Sequence, residues 1–250
     1  MGGFFIFGGY MKYTAAAIQF TPEKGQVVLN RERISELCDL LFAKKEDVRL
    51  IVLPEMCATG YIFTDSKDVF PLCEEAEGET FKFFSGICAK HKCFMAYGFP
   101  EKSGENLYNS QNLISPEGSL LATYRKVNLY EADTFWAKEG DSYLHVDTEI
   151  GRLGMGICMD LNFDGFTQYH ISNGTDIILF STNWLFEGVL IHPYWQMRLK
   201  GFSRRLIAAN RCGGEDGVEF CGWSAVIENG EITGALPKNG DGFILHEVTL

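Results

Sequence analysis

Apolar residues in this chain fall into short unbroken runs rather than the strict alternation of a sheet with one wet face. Ala15–Phe20, Arg49–Leu53, Cys93–Phe99, Asn109–Ile114, Leu120–Tyr124, Leu153–Cys158, Asp176–Phe180, Leu206–Ala209, Gly222–Ile227 and Gly242–His246 read as strands. Between them, Asn30–Lys45 places Ile34, Leu37, Cys38 and Leu41 on one face at helical spacing, behind an Asn suited to cap. Phe81–Lys90, Gly165–Asn173 and Tyr194–Arg205 are the other predicted helices. Continuously apolar strands that alternate with helices need cover on both faces, which predicts an α/β fold. Pro116-Glu117-Gly118 stands between two of the strand runs, a turn signal that predicts a hairpin and therefore a mixed sheet.

No stretch rich in Pro, Ser or charge divides the 250 residues, so one domain is expected over 13–250. Residues 1–12 are set apart as an apolar leader: MGGFFIFGGY has no basic start and is too short for a signal core or a membrane span. A net charge of -11 and a pI near 4.9 count against nucleic acid or anionic membrane as partners. A core of this size needs no staples, so most of the eight cysteines are expected as free thiols in a reducing, cytoplasmic setting. Cys88 and Cys93 flank His91, but a second ligand pair is missing downstream and the pair reads as structural rather than zinc-binding. Gly154-Met155-Gly156 is too short for a dinucleotide fingerprint, and no cofactor or metal is expected.

Three polar groups stand at the ends of strand runs. Glu55 follows Leu53-Pro54, Lys126 follows Tyr124-Arg125, and Cys158 follows Gly156-Ile157. Taken singly, each has a plain explanation: a buried small thiol, a solvated loop acid and a surface cation. Together they are complementary. An ammonium lowers a thiol pKa and holds an oxyanion, while a carboxylate moves the proton.

Leu53-Pro-Glu55 with Thr59-Gly-Tyr61, then Tyr124-Arg-Lys126, then Gly156-Ile-Cys158-Met-Asp160, in this order, resembles the nitrilase (carbon-nitrogen hydrolase) superfamily. Thr182-Asn183-Trp184, Ala208-Ala-Asn-Arg211 and Gly222-Trp-Ser224 extend the resemblance from about Tyr13 to the end. It implies a four-layer α-β-β-α sandwich with mixed sheets, a homodimer, and a Glu55, Lys126, Cys158 triad. The implied reaction is hydrolysis of a primary carboxamide through a cysteine thioester, releasing ammonia, with the Met159 N–H helping to hold the oxyanion.

Many members carry a second glutamate between the lysine and the cysteine. Here Asp133 stands at that position, with Glu131 as the alternative; a shorter acid is expected to need a water to reach the same partner. Tyr61, Asp133, Asn183 and Trp184 are expected in the substrate wall, although a Trp after a strand is more often packing. Asp160 fits either substrate contact or a cap. Several segments, among them Cys158-Met-Asp-Leu-Asn162 and Ala209-Asn-Arg-Cys-Gly213, look similar to the branch that deamidates N-terminal Asn or Gln of proteins. The resemblance thus implies a small amide or a peptide N-terminus as substrate. The alternatives are an N-carbamoyl amide hydrolase, for which Arg198, Arg204 and Arg205 are candidate clamps, a nitrilase in the narrow sense, and a non-catalytic binding member of the fold.

Overall fold

The computed structural model describes residues 11–250; the remainder of the predicted leader lies outside them. In chain order, β1 (Lys12–Gln19), α1 (Val27–Lys44), β2 (Val48–Val52), α2 (Ser66–Val69), α3 (Glu79–His91), β3 (Phe94–Ser103), β4 (Asn106–Ile114) and β5 (Leu120–Arg125) build the first half. The second half holds β6 (Leu144–Thr148), β7 (Gly151–Ile157), α4 (Asp164–Ser172), β8 (Ile177–Thr182), α5 (His192–Arg198) and β9 (Arg205–Asn210). It closes with β10 (Cys212–Glu215), β11 (Val218–Cys221), β12 (Ala225–Glu228), β13 (Glu231–Ala235) and β14 (Gly242–Thr249). One six-stranded sheet runs β14-β1-β2-β3-β4-β5 and the other β13-β12-β9-β8-β7-β6, each mixed, while β10 and β11 form a separate hairpin.

The unbroken apolar runs are explained by the layers. In β1, Ala15 and Ala17 face the second sheet while Ala16 and Ile18 face α1 and α3, so both faces are dry. The same split separates Leu153, Met155 and Ile157, between the sheets, from Phe166 of α4 on the outer side. The result is α1 and α3, sheet, sheet, α4 and α5: the four-layer sandwich expected. Gly154-Met155-Gly156 belongs to this packing. A Cβ on Gly156 would enter the Phe166 ring and one on Gly154 the His170 ring, so the glycines let α4 lie close to β7.

Three sequence expectations change. The first helix begins at Val27, and Asn30 lies inside it rather than capping it; its side chain instead ties Glu23 to the carbonyl of Ala58. The helix expected over Tyr194–Arg205 runs from His192 and stops at Arg198, because the chain turns back at Gly201, φ 92°. The strand expected over Gly222–Ile227 starts only at Ala225. All eight cysteines are free thiols. Cys88 and Cys93 are buried in the α1/α3 core, and His91 stacks on Phe42 at 3.8 Å.

Candidate active site

Each of the three chemically distinctive side chains leaves the end of a strand. After β2 the backbone continues alongside β3 past Pro54, with Leu53 N–H donating to Ala96 O and Gly98 N–H to Pro54 O. The pairing thus continues past Pro54, although that residue has no N–H to give, and Glu55 is held against β3. Gly98 makes this possible: a Cβ there would lie 2.6 Å from Glu55 Cα and 2.7 Å from Met56 N.

At the end of β5 the two cations part. Arg125 forms a bidentate pair with Glu101 and lies over the Tyr108 ring, whereas Lys126 enters the interior and is fully buried. Beyond β7, Cys158 sits at φ 39°, a left-handed conformation unusual for a side chain with Cβ and common at functional turns. Asp160 braces that turn. Its carboxylate accepts from Ile157 N–H (2.9 Å), Tyr124 OH (2.8 Å), Asn128 N–H (3.0 Å) and Asn128 Nδ2 (3.1 Å), so it joins the Cys158 turn to the segment leaving Lys126.

Lys126 Nζ lies 2.8 Å from Glu55 Oε1 and 2.6 Å from Asp133 Oδ2, with all three side chains buried. Asn109 Nδ2 donates to Glu55 Oε1 at 2.7 Å and to Asp133 Oδ1 at 3.3 Å, and Asn183 N–H donates to Glu55 Oε2 at 3.0 Å. Two carboxylates around one ammonium leave an excess negative charge in a dry space. Burial accordingly pushes the Glu55 carboxyl up, against the pull of Lys126. Burial opposes the Lys126 ammonium too, but the Asp133 and Glu55 carboxylates outweigh it and hold its pKa above the ordinary lysine value. The Cys158 thiol is raised by burial and then by Glu55, so the resting group is the thiol rather than the thiolate.

Asp133, not Glu131, reaches the lysine. Glu131 is exposed and does not line the cavity described below. The shorter acid needs no bridging water, because the tight turn Glu131–Phe135, where Asp133 also accepts from Tyr130 N–H at 3.1 Å, carries it inward.

In front of this group lies a cavity of about 430 Å³ whose lining includes Cys158, Met159, Tyr61, Asn183 and Trp184; Asp133, expected in the same wall, does not line it. Trp184 also packs against Trp195, so packing and cavity wall are both its surroundings. Sequence reasoning missed Tyr130, Glu187 and Tyr194 in the wall and Asn109 behind it. Asn109 had a signal: Asn109-Ser-Gln-Asn112 is a run of four polar residues in a strand, all buried here. The hydroxyl of Tyr61 and both side-chain polar atoms of Asn183 are buried with no hydrogen-bond partner. A larger depression of about 750 Å³, over Lys67, Lys102, Phe135 and Lys138, contains none of these groups.

A double sheet flanked by helices, with a buried thiol, lysine and carboxylates at its strand ends, defines a class of hydrolase. Residues 14–250 match the model of the carbon-nitrogen hydrolase family, and the chain belongs to it. It is 31% identical to a probable nitrilase of Schizosaccharomyces pombe, over 96% of this chain and 90% of that protein. It is also 30% identical to the protein N-terminal amidase of the same organism, over 92% and 98%. An omega-amidase of Mus musculus is 27% identical over 61% of this chain and 58% of its own length. Among solved structures, an N-terminal amidase with an Asn-Glu-Ala peptide superposes with a TM-score of 0.85 at 20% identity, covering 96% of this chain and 98% of that one. The protein is thus an amidase-type hydrolase of carbon-nitrogen bonds with the fold of that superfamily.

Proposed function

We propose that the protein hydrolyses a primary carboxamide through a thioester on Cys158. The observation that carries this reading is the solvent-free Glu55–Lys126–Asp133 group beside a cavity floored by the thiol. Because the thiol is neutral at rest, attack requires a base, and Glu55 takes its proton as sulfur adds to the carbonyl carbon. The Lys126 ammonium and the Met159 N–H meet the charge that develops on oxygen, in a low dielectric where such contacts count for most. Glu55 returns the proton to nitrogen, the C–N bond breaks and ammonia departs. Glu55 then removes a proton from water, which attacks the thioester carbon; the acid forms and the thiol is restored. Asp133 holds Lys126 charged and in place throughout.

The substrate is neutral or cationic in this reading. Among the described residues lining the cavity, Glu187 carries the one full charge, and no Lys or Arg lines it. The three arginines considered as clamps for a substrate carboxylate are engaged elsewhere: Arg198 with Leu161 O, Asn162 O and Asp164, Arg204 near Asp176, and Arg205 with Glu228 and Thr249 O. That disfavours carbamoyl amino acids, and Glu187 favours one narrower reading. An ammonium beside the reacting amide, as in a peptide beginning with Asn or Gln, would meet it, in keeping with the N-terminal amidase relative. A homodimer and a cytoplasmic setting complete the proposal, supported by the exposed Phe163, Val189, Leu190 and Met197 and by the eight free thiols.

Ammonia release from simple amides, glutamine analogues, carbamoyl amino acids and peptides beginning with Asn or Gln tests this reading. Ammonia without carbon dioxide, abolished by Cys158→Ala with the fold retained, is expected. Carbon dioxide release or an active Cys158→Ala enzyme would overturn it.

A further inference from the structure

The cavity wall depends on a hairpin that takes no direct part in the chemistry. β10 and β11 turn at Asp216-Gly217, both with positive φ, and the hairpin touches both sides of the cavity. On one side Phe186 N–H donates to Glu219 O and Cys221 N–H to Trp184 O, holding the 184–186 wall. On the other, Glu215 reaches the loop after β2. One of its oxygens accepts from Tyr61 N–H at 2.8 Å and from Ile62 N–H at 2.5 Å, while the other lies 2.6 Å from Arg211 Nη1. Arg211 is fully buried and stacks 4.0 Å over the Phe220 ring, which in turn meets Tyr61 edge-on.

Tyr61 is what this arrangement presents. Its ring lies 5.9 Å from Lys126 Nζ, and its buried hydroxyl has no hydrogen-bond partner. A buried hydroxyl without a partner costs about 1–3 kcal/mol, so a ligand that supplies one binds more tightly than one that does not. We infer that the Arg211–Glu215 ion pair is a positioning device that sets the Tyr61 hydroxyl to hydrogen-bond the carboxamide held at Cys158. This rests on the reading of Cys158 as nucleophile given above. Glu215 suits the task because an ionised carboxylate accepts on both oxygens and so satisfies two backbone donors and a guanidinium together. A glutamine cannot, since its amino group must face one of those sets of donors.

The test is the rate at which two reagents label Cys158, read by peptide mass: iodoacetamide, which carries a primary carboxamide, and methyl methanethiosulfonate, which does not. Glu215→Gln is expected to slow iodoacetamide by roughly threefold to tenfold, the worth of one neutral hydrogen bond, and to leave the second reagent within about twofold. Tyr61→Phe should show the same selective loss, and the double variant no further loss, as expected of groups acting as one unit. If Glu215→Gln fails to fold, Glu215→Asp, which keeps the charge but shortens the reach to the Tyr61 and Ile62 N–H groups, carries the same comparison. Equal slowing of both reagents, no slowing, or additive losses would each overturn the inference. A wild-type Cys158 that takes neither reagent overturns the nucleophile assignment itself, and the inference with it.

Discussion

Asp133 Oδ2 and Lys126 Nζ stand 2.6 Å apart where neither side chain meets solvent. With Glu55 Oε1 at 2.8 Å on the other side, the ammonium is held between two carboxylates rather than left to rotate. In the mechanism proposed above, this arrangement exists before any substrate arrives, which is where electrostatic catalysis gains most of its effect.

Asp133→Asn should therefore lower kcat/KM by about 10²–10³, the range for losing one oxyanion-stabilising contact, and destabilise the fold by about 3–5 kcal/mol, as when one partner of a buried pair is removed. Asp133→Glu should not restore activity, because an added methylene has no room between two fully buried groups. Steady-state kinetics with a denaturant melt on each variant checks both statements.

The acid limb of kcat/KM is expected above the ordinary glutamate value of 4.5, since burial raises the Glu55 carboxyl and only its ionised form can take the thiol proton. Activity is then lost as pH falls through that raised value. Asn109→Ala removes a donor that favours the carboxylate, at 2.7 Å, and should move the limb up by about one pH unit. A limb that stays in place would show that Glu55 does not govern it.

Gly98→Ala should damage the site without touching a reacting atom. The new Cβ meets backbone of Glu55 and Met56, which cannot swing aside, so Glu55 must move. A displacement of about 1 Å can cost roughly 10²-fold in rate. A variant that melts like wild type and keeps full kcat/KM would contradict this account of the strand end.

His170, packed under β7 with Nδ1 on Thr175 Oγ1, is pushed down to about 3 by burial. Between that value and the unfolded value near 6.5 the unfolded chain binds a proton that the folded chain refuses, so stability falls as pH drops below 6.5. From pH 7 to 5 the loss attributable to His170 is about 2 kcal/mol. Chemical denaturation at both pH values should show His170→Gln losing that much less than wild type.

The sequence alone determined the class of fold and singled out the three groups proposed to react. Runs such as Ala15-Ala-Ala-Ile18 and Leu153-Gly-Met-Gly-Ile157 are apolar throughout because both faces of each strand are covered, and that leaves a local trace. Glu55 and Cys158 follow such runs, whereas Lys126 follows the edge strand β5 and was legible from its place in the order of the three motifs. Tertiary structure decided the rest. β6 and β13 are edge strands with partly exposed residues, so neither shows an unbroken apolar run, and β10–β11 carried only its Asp216-Gly217 turn as a signal. The choice of Asp133 over Glu131 turned on where one tight turn places a backbone. The tie from Glu215 to Tyr61 spans 154 residues, and no local pattern records a contact that exists only after both halves of the sandwich have packed.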